Sequence, residues 1–313
     1  MIASRFDIER WNLSPWDETL RQIDSIYAEF ESLGIPTVPS SRINAYRHAF
    51  QTLWDRAQAK EFLDLSLAVR VLNTLVEFHQ LKTILGATKT SKNPDAWQDR
   101  LRTLVSGAEF STGESNAASA RDLQFESFVG AVCELSGYSV EFGEPDLVLS
   151  DDSQVFVIAA KRPRNYARCE KNFKKGVRQI NGSGKPGMVA VDLSFALQAD
   201  QCINTNDLRG GQVFVEEVAN NFARMHQARL RNLSKGGNIL GALLHVQMPV
   251  INYGHPTGPQ LGIATRWTIV PLTDDENYGF LWVSEFCRKT EVGLLGSPEV
   301  AKPLAKPQRK GSR

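Results

Sequence analysis

Three consecutive pieces of the chain, 124-QFESFVGAVCELSGYSVEF-142, 143-GEPDLVLSDDSQVFVIAAKRPRN-165 and 171-KNFKKGVRQI-180, decide how the rest is read. Over residues 118–136 the apolar side chains Leu123, Phe125, Phe128, Val129, Val132 and Leu135 recur at helical spacing, which predicts an amphipathic helix. Gly137 is placed to end it in the left-handed conformation that follows many helices. Two short β-rich runs come next, 146–149 and 155–158, separated by the turn-like Ser150-Asp-Asp-Ser153. The second run leads into Lys161. A carboxylate at the start of one strand and a lysine at the end of its hairpin partner meet at one edge of a sheet. Glu126, on the preceding helix, can face that edge, so Asp146, Lys161 and Glu126 together predict a small cation site with an ammonium beside it.

This constellation resembles the PD-(D/E)XK nuclease superfamily, the restriction-endonuclease-like fold, over residues 118–193. The resemblance matches Glu126 to the acidic residue of the first core helix, Pro145-Asp146 to the Pro-Asp pair, and Lys161 to the lysine of the second motif. Gln179 matches a glutamine that some branches carry on the following helix. The implied fold is α/β, with a mixed-sheet core flanked by helices. The implied activity is Mg²⁺- or Mn²⁺-dependent hydrolysis of phosphodiester bonds, in DNA first, in defence against foreign DNA or in DNA processing. Many such nucleases dimerise, which makes a homodimer an expectation of the same kind.

The roles follow from the chemistry. Mg²⁺ takes oxygen ligands, keeps several waters, and is held by one or two carboxylates with the substrate phosphate. Asp146 and Glu126 are the expected carboxylates, and the resemblance adds the Ala160 carbonyl. Lys161 would position the attacking water or stabilise the charge of the transition state, and Gln179 would orient phosphate or water. One departure is plain: Ala159 stands where the family pattern has a second acidic residue. Three readings are open. Another carboxylate replaces it, with Glu126 first and Glu144 or Asp152 behind; the protein is a binding-only relative of the same fold; or the alanine is an inactivating substitution.

Charge gives a separate argument. The whole chain has a net charge of only +1, yet residues 161–178 hold eight lysines and arginines against one acid, Glu170. Arg162, Arg164, Arg168, Lys171, Lys174, Lys175 and Arg178 are the candidate phosphate contacts, giving affinity that falls with salt. Tyr166 and Phe173 lie among them as candidates for base stacking, Phe173 also fitting a core position. A solvated basic helix face is the plainer alternative.

The remaining sequence frames the site. Hydrophobic content of 42% and charged content of 23% are those of an ordinary globular protein. Cys133, Cys169, Cys202 and Cys287 form no CxxC pair, which excludes a zinc ribbon and fits a reducing cytoplasm, the expected location. No apolar run suits a signal peptide or a membrane span, so no membrane partner is expected. There is no GxxxxGK[ST], HExxH or GxSxG motif. Residues 1–110 read as a helical N-terminal domain with helices over 17–33, from Ser40 or Ser41, over 64–85 and over 95–104, offering a surface for a partner protein. Residues 106–119 read as a linker, 111–300 as the α/β domain, and 301–313 as a basic disordered tail. Within the α/β domain, strands are expected at 188–193, 239–250, 267–272 and 278–283, and a long helix at 212–233.

Overall fold

The chain is described by a computed structural model over residues 6–37, 41–59, 65–106, 115–152, 154–198, 203–206, 208–256, 260–273 and 278–295. The tail 301–313 and most of the expected linker lie outside the described residues. In chain order, β1 (Phe6–Pro15) leads into α1 (Trp16–Ser32), α2 (Arg42–Gln58), α3 (Leu65–Thr90), α4 (Pro94–Ser106) and α5 (Ser115–Leu135). A meander of β2 (Ser139–Phe142), β3 (Leu147–Ser150) and β4 (Val155–Lys161) follows. Next come α6 (Tyr166–Ser183), β5 (Gly187–Asp192), α7 (Ser194–Gln198), β6 (Ile203–Thr205) and α8 (Leu208–Ser234). The long hairpin β7 (Ile239–Asn252) and β8 (Gln260–Pro271) precedes α9 (Tyr278–Leu295).

The strands form one mixed sheet in the order β1-β8-β7-β5-β4-β3-β2, with β6 added alongside β7. β4, β5 and β7 run parallel in the centre, while β2, β3, β8 and β1 pair antiparallel outward. Central strands buried on both faces read as continuous apolar runs, as β5 does. Their period of two then sorts side chains between two cores. Phe156, Ile158, Met188, Ala190 and Leu243 face one cluster, shared with α1 to α5 and α9. Val157, Ala159, Val189, Val191, Ala242 and Leu244 face the other, beneath α6 and α8.

Local signals account for the helix ends. Ser41 Oγ accepts from Asn44 N and caps α2. After α5, Gly137 takes φ +90°, the left-handed stop read from the sequence. Gly176 has a different role: a Cβ there would lie 2.7 Å from Val189 Cγ1, so only glycine lets α6 settle this closely on β5.

The N-terminal helices belong to the same packing. Gln124 Nε2 donates to Gln80 Oε1 at 2.9 Å, and Gln80 Nε2 donates to Gln247 Oε1 at 2.9 Å, tying α5, α3 and β7 through a buried amide chain. Several elements differ from expectation. β1 is a strand in a segment read as helical; its apolar pairs Phe6/Ile8 and Trp11/Leu13 are out of phase, which conceals the alternation. Residues 278–283 open a helix, not a strand: Trp282, Val283, Phe286, Cys287 and Thr290 are buried at helical spacing, a pattern that emerges only beyond the six residues expected to be extended. α3 runs through Gly86 to Thr90. Residues 197–207, polar and without a clear period, hold the end of α7 and the short strand β6. Among the described residues no helix is long and apolar enough to cross a membrane.

Candidate active site

The β2–β3 turn and the end of β4 create the site. In the register Leu147↔Ile158, Asp146 sits just before β3, opposite the last residues of β4. Its Oδ2 accepts from Ala160 N at 2.7 Å and from Lys161 Nζ at 2.5 Å, and Lys161 Nζ also donates to Ala160 O at 2.9 Å. The lysine is thereby fixed at both ends of its reach. Its side chain is 9% exposed and that of Asp146 16%, so the pair is largely sheltered but keeps some contact with solvent.

Glu126 comes to the same place from α5. Its Oε1 pairs with Arg100 Nη2 of α4 at 2.5 Å, and both side chains are nearly as sheltered, 17% and 16% exposed. Burial pushes the Glu126 carboxyl above its ordinary range; Arg100 opposes the shift, and neighbouring Asp146 adds to it. Burial lowers the pKa of Arg100, against the pull of Glu126 and Asp146. The guanidinium lies 3.5 Å from the centre of the Phe142 ring and donates to Ser127 Oγ at 3.3 Å. Among the described residues neither Asp146 Oδ1 nor Glu126 Oε2 receives a hydrogen bond, so each carboxylate keeps one oxygen for a ligand.

The other expected members separate. Gln179 Nε2 donates to Glu144 Oε1 at 2.8 Å, joining α6 to the β2–β3 turn beside Asp146, not to Asp146 itself. Ala159 is fully buried under α6, and a Cβ on Gly176 would stand 3.4 Å from its own Cβ. A carboxylate at this position would enter a closed apolar contact. Asp152 lies in the turn at the far end of β3 and cannot replace it. Glu144 is engaged by Gln179.

The basic run also divides. Arg164, Arg168, Lys171, Lys174, Lys175 and Arg178 are exposed, as expected, with Lys174 paired to Glu170 at 2.9 Å. Arg162 is a correction. Its side chain is only 6% exposed, its Nε stands 3.0 Å from fully buried Asp192 Oδ2, and its Nη1 donates to Arg121 O at 3.2 Å. A buried carboxylate demands a partner of opposite charge, and Arg162 supplies it. Phe173 is buried in the core, the alternative already open for it. Tyr166 is exposed and bonded through its hydroxyl to His226 Nε2 at 2.5 Å.

Two residues escaped the sequence reading. Arg100 had no local signal, because its partner is 26 residues away. Asp122 had one: it precedes Glu126 by four residues on α5, one helical turn, and its carboxylate lies in the field of Arg162, Arg164, Lys161 and Lys175. Compared with models of protein families, with curated proteins and with solved structures, the chain matches none.

Among the described residues no cluster of three or more His, Cys, Asp and Glu side chains is suited to a metal, so the all-protein cage of a structural zinc does not fit. Two carboxylates with one unengaged oxygen each, beside a backbone carbonyl, are oxygen donors of the kind Mg²⁺ or Mn²⁺ takes.

Proposed function

We propose that this chain is a Mg²⁺- or Mn²⁺-dependent nuclease of restriction-endonuclease-like fold that hydrolyses phosphodiester bonds, DNA being the first substrate to test. The observation that carries the reading is the convergence of Asp146, Lys161 and Glu126, from a turn, a strand end and a helix, in one sheltered polar cluster. Glu126, Asp146 and the Ala160 carbonyl would hold the ion, which supplies positive charge for the phosphate and Lewis acidity for the reaction. Lys161 does the rest of the electrostatic work: held by Asp146 and Ala160 O, its ammonium is preorganised where charge develops and needs no reorientation during the reaction. Asp146 orients that ammonium while its second oxygen remains for the cation.

The surface supports a nucleic-acid substrate. Beyond α6, the C-terminal half of α8 exposes Arg224, Arg229 and Arg231, with Lys235 just past its end, and Arg229 reaches Glu170 of α6 at 2.5 Å. Two packed helices thus present cations of one sign on a nearly neutral protein, and contacts of this kind bind phosphate without reading sequence.

A second reading, binding without cleavage, is favoured by Ala159 and by the two cations that already balance the two carboxylates. Plasmid cleavage with Mg²⁺ or Mn²⁺, run beside gel-shift binding for the wild type, Lys161→Ala and Asp146→Asn, separates them. The nuclease reading expects cleavage by the wild type, loss of about 100-fold or more in both variants, and DNA binding retained. Retained binding with no cleavage by the wild type replaces it with the second reading.

A further inference from the structure

We infer that Arg100 is a built-in counter-ion for the cleft: it occupies Glu126 in the cation-free protein, and leaves it when a divalent cation takes the carboxylate. The inference rests on Glu126 and Asp146 being cation ligands, as proposed above, and it gives the N-terminal helical region a part in the site. Four observations carry it. The Arg100–Glu126 pair is close, at 2.5 Å, and sheltered on both sides. Arg100 also acts electrostatically on Asp146, so a single guanidinium offsets both carboxylates. Only one of the two Glu126 oxygens is engaged, which leaves a cation a way to approach before the arginine departs. In the position it now holds, the guanidinium also contacts the Phe142 ring and Ser127 Oγ, so losing Glu126 would not leave it without partners.

The charge arithmetic sets the expected consequence. Glu126 and Asp146 against Arg100 and Lys161 sum to zero, whereas the same cleft without Arg100 carries one net negative charge. A like-signed charge a few ångströms from a cation site weakens binding by an amount that depends on local screening; in a largely sheltered cluster this is on the order of tenfold. Lys161 adds repulsion of the same kind, but it stays bonded to Asp146 Oδ2 and Ala160 O in every variant compared, so its effect is common to all of them.

The test is calorimetric titration with Mn²⁺ alone, without nucleic acid, on the full chain and on Arg100→Met, Arg100→Lys, Glu126→Gln and Arg100→Met/Glu126→Gln. Arg100→Met is expected to bind Mn²⁺ roughly tenfold more tightly than the wild type, and the gain is expected to vanish in the Glu126→Gln background. Equal or weaker binding by Arg100→Met overturns the inference, as does a gain that survives Glu126→Gln. Should Arg100→Met fail to fold, Arg100→Gln takes its place with the same expected gain, and unchanged affinity counts against the inference; Arg100→Lys, which keeps the charge, is expected to bind close to the wild type, and a gain equal to that of the neutral variant also counts against it. Plasmid cleavage by the same proteins keeps the two claims apart. A tighter Mn²⁺ site in a set of variants that never cut DNA leaves the counter-ion standing and removes the nuclease. Mn²⁺ binding that is equal in all variants, with cleavage present, does the reverse. No Mn²⁺ binding by any variant at millimolar concentration removes both.

Discussion

Lys161 and Arg162 are neighbours in sequence, and each ends on a carboxylate, yet they build opposite kinds of site. Lys161 reaches Asp146 in a cleft where the side chains remain 9% and 16% exposed. Arg162 reaches Asp192 where the exposures fall to 6% and 0%, and there the carboxylate is surrounded: Ser194 Oγ donates to Oδ1 at 2.5 Å, and His245 Nδ1 lies 3.3 Å away. His245 is enclosed by Phe125, Phe128 and Trp267. Burial acts most strongly on the Asp192 carboxyl and would raise it, but Arg162, His245 and Ser194 together hold it well below the usual carboxylate range. The comparison teaches where chemistry can occur. A charge pair with spare oxygens and some contact with water can exchange partners, whereas one closed on all sides can only hold the fold.

The largest expected effect lies on the closed side. Arg162→Ala leaves Asp192 charged and without its main partner, and breaking a buried pair in this way costs about 3–5 kcal/mol. Urea unfolding at neutral pH should show that loss, while Lys161→Ala, in the open cleft, should lose far less. Equal losses would erase the distinction. The pH dependence has a definite sign. Because the folded state lowers the Asp192 pKa, the stabilisation is fully present above the unfolded carboxylate value, about 3.9, and is lost as pH falls below it. Acid unfolding of Asp192→Asn should therefore begin less steeply than that of the wild type.

Ala159→Glu comes next. Restoring the acidic residue would place a carboxylate against Gly176 and the apolar side chains under α6, with an expected cost of about 3 kcal/mol and no gain in cleavage. A stable, more active Ala159→Glu protein would show that α6 yields at this point and that the cleft extends beneath it. Smaller again is the effect of the open surface. Replacing Arg168 and Lys171 together by Glu should leave the melting temperature within a few degrees. It should flatten the dependence of DNA affinity on log salt by about 0.9 for each phosphate contact removed. An unchanged slope would make α6 an ordinary solvated face.

Much of the cleft was legible because it is written locally. The helix through Glu126, its stop at Gly137, the turn before Asp146 and the strand into Lys161 follow from periods of 3.6 and 2 and from turn chemistry within 45 residues. The parts that escaped are tertiary. Arg100 meets Glu126 because α4 packs on α5, and no spacing in the sequence announces it. Arg162 looked like one more cation in a basic run; its burial depends on Asp192, which arrives with β5. Ala159 was visible as a departure, but the helix closing over it was not, since Gly176 gains its meaning only from Val189 beneath it. β1 and α9 were missed for a related reason, each taking its form from the strands or cores it covers.

The smallest effect tests the boundary between the two kinds of site at Glu126, which is sheltered like a structural carboxylate but keeps an oxygen free like a functional one. Its pKa is raised by burial, with Arg100 opposing, so the folded protein holds the Glu126 proton more tightly than the unfolded chain does. The sign is opposite to that at Asp192. Stability contributed by this group is greatest below the unfolded glutamate value, about 4.3, and declines as pH rises from there through the raised folded value. Glu126→Gln keeps an acceptor for Arg100 while removing the charge. It should flatten the stability curve between about pH 4 and neutrality. Chemical unfolding of the two proteins across that range is the measurement. A wild type that instead gains stability over this interval, relative to Glu126→Gln, would mean that Arg100 dominates burial at Glu126. The pair would then belong with Arg162 and Asp192 as a fixture of the fold.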